Sequence, residues 1–193
     1  SYPNRPNNIN SFVAIYWEEI KEIGTKLEGV AMEGDWLGVD RIDLSWPSVM
    51  RYYTQQKYNQ ELSDRLLDKA KAMKKPAMFI PRFDQGDWQP VNEAYDSFML
   101  TILYKFRCNV IMTAGIRGVD EGSPRDIFGH LGIIPRGQKE LGHQPNSVFL
   151  LGQAGKDIWD ITTAKDLPGR SYFDKDPLFD FAIQYLAKYA KGE

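Results

Sequence analysis

The chain is short of the residues that most often announce a site. It has one cysteine, Cys108, which excludes an internal disulfide and a multi-cysteine zinc centre. Its two histidines, His130 and His143, are too few for a histidine-rich metal centre. The formal net charge is −2 over 193 residues, so no global positive field draws nucleic acid, and any such contact falls to a local patch. No apolar run approaches the roughly 20 residues that span a bilayer. The first residues, Ser1-Tyr2-Pro3-Asn4-Arg5-Pro6, lack the basic-then-apolar layout of a secretory signal. No G-x-x-x-x-G-K-S/T phosphate loop occurs either. The segment from Gly152 to Asp157 comes nearest, but its spacing is wrong and Asp157 stands where a metal-binding hydroxyl belongs. It also links two expected strands, where the motif needs a strand and a helix.

What is present suits a folded protein. A hydrophobic fraction of 42% and an aromatic fraction of 13% can fill a core, and the length fits one domain over residues 1–193. Phe12, Tyr16, Ile20, Ile23 and Leu27 recur at helical spacing and predict an amphipathic helix ending near Gly29. Trp36 to Val39 reads as a short buried strand that ends on Asp40, with Asp43 three residues later. Such a strand is how a nucleotide-binding sheet presents an acid to a metal ion. Asp also follows strands because it starts turns, and both readings stand on this stretch alone.

Ser45 reads as a helix cap with Pro47 just inside, and Glu61 to Met73 as a helix with Lys69 and Lys71 on a solvated face, basic onward through Lys74 and Lys75. Phe79 to Gln89 reads as a loop pinned to the core by Phe83 and Trp88. A helix capped near Asp87, with Pro90 in its first turn, leads into a second strand, Cys108 to Ala114, with Thr113 at its C-terminal end. Two helix-to-strand units ending at the same sheet edge predict a parallel sheet with its site along that edge. Gly115 to Gly137 is a long connection with several glycines, and Gln138 to Gly142 a short helical turn. Ser147 to Leu151 and Ile158 to Thr163 predict an antiparallel hairpin, and Asp176-Pro177 the start of a last helix.

In that order these features resemble the phage- and prophage-type nucleotide-binding proteins of the RecA-like P-loop ATPase class. The resemblance runs over most of the chain. It is carried by the Asp40 strand with Asp43 and Trp46, the helix start from Asp87-Trp88 to Asn92, and the strand from Asn109 to Ala114. The segment from Gly137 to His143 and the run from Ile161 to Asp166 complete it. It implies an α/β fold, a mostly parallel sheet flanked by helices with an antiparallel hairpin near the C-terminus. It implies ATP and Mg2+ as ligands, with Asp40 the Walker B acid that orients water on the metal. Thr113 is then the polar sensor of the γ-phosphate or attacking water. Lys165 and Arg170 resemble cationic groups used against the transferring phosphate, often across a subunit boundary, which implies a homo-oligomer, ring or filament. The implied activity is ATP hydrolysis in viral or prophage DNA processing, recombination or packaging, in the host cytoplasm, with DNA a candidate partner and no membrane. The family's phosphate loop lies upstream of its first helix, so the expectation is a fragment of a longer protein or a degenerate relative. Its catalytic glutamate has no counterpart, since Glu33 precedes the strand on the wrong side. Two other readings remain: a catalytically silent interaction module in an oligomer, and a nuclease holding metal with Asp40, Asp43 and Asp84 or Asp87. Thr113 as a plain strand residue and Lys165 as a solvated loop lysine stay open as well.

Overall fold

A computed structural model of the chain describes residues 10–72, 83–119, 131–167, 173–180 and 184. Two compact units divide the chain, Ser1–Thr113 and Ala114–Glu193.

In the first unit, helix α1 spans Trp17–Leu27. The Glu19 carboxylate reaches back to accept the backbone N–H groups of Ile15 and Tyr16 at 2.9 and 3.0 Å. The apolar periodicity therefore overshoots the helix: Phe12 and Tyr16 precede it and are exposed. Trp17 is the residue that α1 buries, edge-on to Phe98 with ring centres 5.2 Å apart. Strand β1 is Trp36–Val39, followed by a 3-10 turn, Ile42–Leu44, and helix α2, Ser45–Tyr58. Ser45 is the first residue of α2 and not its cap, which is Leu44, and its hydroxyl donates to the Ile42 carbonyl at 2.6 Å. Helix α3, Leu62–Ala72, has no fully buried residue; of the lysines read as a solvated face, Lys71 is exposed while Lys69 is largely covered and pairs with Asp84. Helix α4, Gln85–Leu100, starts earlier than expected, capped by Asp84, so Pro90 falls in its second turn. A π-helical turn, Thr101–Lys105, leads into β2, Asn109–Met112.

The core of this unit forms where α2 packs on α4. Val91, Tyr95 and Met99 recur every fourth residue on one face of α4 and are buried, as are Val49 and Thr54 on α2. The helices α2 to α4 also separate β1 from β2 in sequence, which supplies the crossover that parallel pairing needs. The two strands pair in parallel, Trp36 with Asn109 through Val39 with Met112. They are not buried on both faces as expected. Trp36, Gly38, Asn109 and Ile111 share an exposed face, while Leu37, Val39, Val110 and Met112 are half-buried.

In the second unit, β3, Ile116–Gly118, pairs antiparallel with β4, Ile133–Pro135. Strands β5, Ser147–Gly155, and β6, Ile158–Asp166, form an antiparallel hairpin, and β7, Asp176–Pro177, adds to β6. The hairpin turns at Lys156-Asp157, with Asp157 left-handed at φ 60°, a conformation that Asp tolerates better than most residues. Ile161 and Phe173 are its buried centre, packed against Phe149 and Leu178.

The expected mostly parallel, helix-flanked sheet of RecA-like type does not form. Among the described residues the parallel pairing is confined to two strands, and the other five strands are antiparallel, in sheets of two and three. After β2 the pairings are between neighbours in sequence: β4 returns beside β3, β6 beside β5 and β7 beside β6, and a direct return gives antiparallel pairing. The antiparallel hairpin near the C-terminus is present and longer than expected. Asp176-Pro177 pairs with β6 instead of opening a helix; proline, lacking an N–H, is suited to an edge position. Of the rest of that expected helix, Leu178, Phe179 and Asp180 are described and are not helical, and Gln184 is described and is helical; its other residues, like Lys74, Lys75 and Arg170, lie outside the described residues. Among the described residues no helix is long and apolar enough to cross a membrane.

Candidate functional site at the ends of β1 and β2

The parallel ladder runs past the strand ends and fixes the residues just beyond them. The Thr113 N–H donates to the Val39 carbonyl at 3.0 Å, and the Thr113 carbonyl accepts from the Ile42 N–H at 2.9 Å. Asp40 and Arg41 are thus held opposite Thr113. The Thr113 hydroxyl donates a hydrogen bond to Asp40 Oδ1. The same hydroxyl oxygen accepts the Arg41 backbone N–H at 2.9 Å. Arg41 itself is left-handed, φ 57° and ψ 51°, a conformation that costs a residue with a Cβ roughly 1 kcal/mol or more.

The Arg41 side chain folds onto Asp43. Its Nε donates to Oδ1 at 2.9 Å and its Nη2 to Oδ2 at 2.8 Å. This two-pronged geometry is the strongest that arginine and a carboxylate form. Asp43 is 4% exposed, so its charge requires such a partner. Asp43 raises the Arg41 guanidinium further above its usual range, chiefly by hydrogen bonding. Asp40 and Thr113, by contrast, are exposed. The two residues that the sequence placed at one sheet edge are therefore in direct contact. Asp43, which reads as a turn or a metal ligand, is instead committed to Arg41.

Lys165 lies on β6 in the second unit. Its Nζ donates to the carbonyls of His143 and Pro145, at 2.6 Å each, and burial lowers its pKa. It clamps the segment before β5. Arg170 lies outside the described residues.

A second polar cluster is one that the sequence alone does not reveal. Asp87, 1% exposed, accepts from Lys57 Nζ at 2.6 Å, from the Tyr58 hydroxyl at 2.8 and 2.9 Å, and from the Tyr53 hydroxyl at 3.1 Å. Burial pushes its carboxyl up, but hydrogen bonds from Lys57, Tyr58 and Tyr53 outweigh that and hold it down at about 2. The same contacts push the Lys57 ammonium above its usual range. The Arg65 guanidinium stacks 3.1 Å from the Tyr58 ring centre. Asp84 pairs with Lys69 at 2.8 Å and Arg65 at 3.5 Å. These acids tie the end of α2 and α3 to the start of α4. Among the described residues no group of three or more His, Cys, Asp or Glu side chains is placed to hold a metal ion.

No protein-family model matches the chain, and no match was found among curated proteins or solved structures.

Proposed function

We propose that the Asp40–Thr113 edge is the magnesium-facing half of an ATP site. The chain is then the ATP-binding and hydrolysing part of a viral or prophage DNA-processing ATPase. It works in the cytoplasm as a homo-oligomer, with DNA a candidate partner. The observation that carries this reading is the direct contact of Asp40 with Thr113 at the C-terminal ends of adjacent parallel strands, where α/β sheets bind their ligands. The donor set fits the metal: a carboxylate oxygen is the hard ligand that Mg2+ takes, usually with several waters retained. When bound, Mg2+ neutralises charge on the phosphates during transfer to water. Asp40 supplies the anion that fixes this cation or its water. These 193 residues hold no phosphate-loop motif.

Lys165 favours the second reading in one respect. A lysine tied to two carbonyls of its own unit is poorly disposed to reach another subunit's phosphate, as a silent interaction module would tolerate. The experiment that separates the two is magnesium-dependent ATP hydrolysis by the longest natural form of the protein and by its Asp40→Asn variant. The expected loss is roughly a thousandfold with melting unchanged, comparable to removing a transition-state charge stabiliser. Undiminished hydrolysis in the variant removes Asp40 from the site. Absence of hydrolysis in the natural form, with association retained, establishes the silent module.

A further inference from the structure

The hydrogen bonds around Thr113 assign it a different role from the sensor that its strand position implies. A threonine hydroxyl carries one proton and two lone pairs. At Thr113 one lone pair accepts the Arg41 N–H at 2.9 Å. The hydroxyl donates its one proton to Asp40 Oδ1. That proton is then committed and is not offered to a phosphate oxygen.

Arg41, whose N–H meets the Thr113 hydroxyl, has a left-handed backbone. Alone, that conformation would relax toward the common regions. The two bonds from the Arg41 side chain to the buried Asp43 hold it in place. Asp43 is in turn fixed in the 3-10 turn that opens α2, where Ser45 ties back to Ile42. A chain of contacts thus runs from a buried acid, through Arg41 and Thr113, to the exposed acid at the strand end.

We infer that Asp43, Arg41 and Thr113 are positioning residues for Asp40: they lock Thr113 as a hydrogen-bond donor to Oδ1 and leave Oδ2 to meet the cation. This rests on the proposed magnesium site, and it reassigns Thr113 from contact with ATP to orientation of the metal-binding carboxylate. It also gives the buried Asp43 a function at a distance. Second-sphere partners of metal-ligating carboxylates typically change metal affinity or activity by about 10- to 100-fold.

The test uses the longest natural form and its Asp43→Asn, Thr113→Val and Thr113→Ser variants. Steady-state ATP hydrolysis is measured against both ATP and Mg2+, and the exchange of the Arg41 amide proton is followed by NMR. Asp43→Asn and Thr113→Val should each lower kcat and raise the half-saturating Mg2+ concentration, by about tenfold, with KM for ATP unchanged. Thr113→Ser should restore both values, because it keeps the hydroxyl. The Arg41 amide should exchange slowly in the natural protein and in Thr113→Ser, and faster in Thr113→Val and Asp43→Asn. A raised KM for ATP at unchanged Mg2+ dependence in Thr113→Val would return Thr113 to the phosphate and overturn the inference. So would an Arg41 amide indifferent to Asp43→Asn. If the natural form hydrolyses no ATP, the proposed function fails by itself. Amide exchange then decides whether the relay exists, and Mg2+ titration of the Asp40 carboxylate signal decides whether it serves a cation. No perturbation of that signal at millimolar Mg2+ overturns the inference.

Discussion

Asp87 is closed to solvent and accepts hydrogen bonds from Lys57, Tyr53 and Tyr58, whereas Asp40 is exposed and accepts one, from Thr113. Both acids lie in the first unit, and both touch a hydroxyl. The number of donors and the access of water separate them. Asp87 has exchanged its hydration shell for fixed partners drawn from α2, so its charge stabilises the fold and has little left to offer a ligand. Asp40 keeps coordination capacity on the solvent side. Of the two, the carboxylate less firmly held is the better candidate for chemistry.

Removing each side chain is the most forceful way to break this contrast. Asp87→Ala leaves Lys57 and two tyrosine hydroxyls facing a void, and should cost about 3 kcal/mol, near the lower end for breaking a buried ion pair because Lys57 is itself partly exposed. Asp40→Ala should stay within about 0.5 kcal/mol, as for a surface position. Urea unfolding followed by circular dichroism measures both. Equal costs would erase the distinction between the two acids.

Acid titration sharpens the same point. The folded-state pKa of Asp87 is held at about 2, below its ordinary 3.8. The unfolded chain therefore binds the proton first as pH falls. The stabilisation, about 2 kcal/mol, is fully present above pH 3.8 and is lost as pH falls through 2. Stability measured between pH 2 and 5 should show this slope in the natural protein and lose it in Asp87→Asn. An unchanged slope in the variant would place the acid sensitivity elsewhere.

Which of these features can be seen in the sequence depends on how local they are. The β1 and β2 strands and their polar ends are legible because each is a contiguous apolar run after a helical period, and two such units predict the parallel register that brings Asp40 to Thr113. The Arg41–Asp43 pair is two residues apart, yet it is hidden, because it depends on a left-handed backbone at an arginine. The Asp87 cluster draws its donors from 29 to 34 residues away, where no periodicity links them. The sheet type is hidden for a similar reason. Two strand ends at one edge suggest a larger parallel sheet. The antiparallel β3–β4 pair, however, sits at the margins of what reads as a glycine-rich loop, and β4 ends on Pro135.

Lys165 extends the comparison to a cation. Like Asp87, it is tied to its own unit, here to two carbonyls, so its loss should loosen the segment it clamps. Lys165→Met should cost about 1 kcal/mol, the usual net worth of such hydrogen bonds, and raise amide exchange across residues 143–147. ATP hydrolysis that collapses while those amides stay protected would give Lys165 back its role against phosphate.

An effect of the opposite sign is expected at Tyr95, and it tests whether satisfied partners are what make a buried polar group matter. Tyr95 is fully buried on α4, edge-on to Trp46 with ring centres 5.2 Å apart. Burial pushes its phenol up to about 12, with Ser45 close enough to moderate the rise. Ser45 has its proton committed to the Ile42 carbonyl, and among the described residues no acceptor or donor meets the Tyr95 hydroxyl in hydrogen-bond geometry. A buried hydroxyl without a partner contributes desolvation cost and no compensating bond. Tyr95→Phe keeps the ring and its packing while deleting that cost. Stability should therefore stay level or rise, by up to about 1 kcal/mol, in contrast to the loss at Asp87. Urea unfolding decides it. A loss greater than about 1 kcal/mol, the net worth of one hydrogen bond, would show that the Ser45 contact is a real bond in solution, and would add Tyr95 to the buried polar groups that hold the turn beneath Asp40.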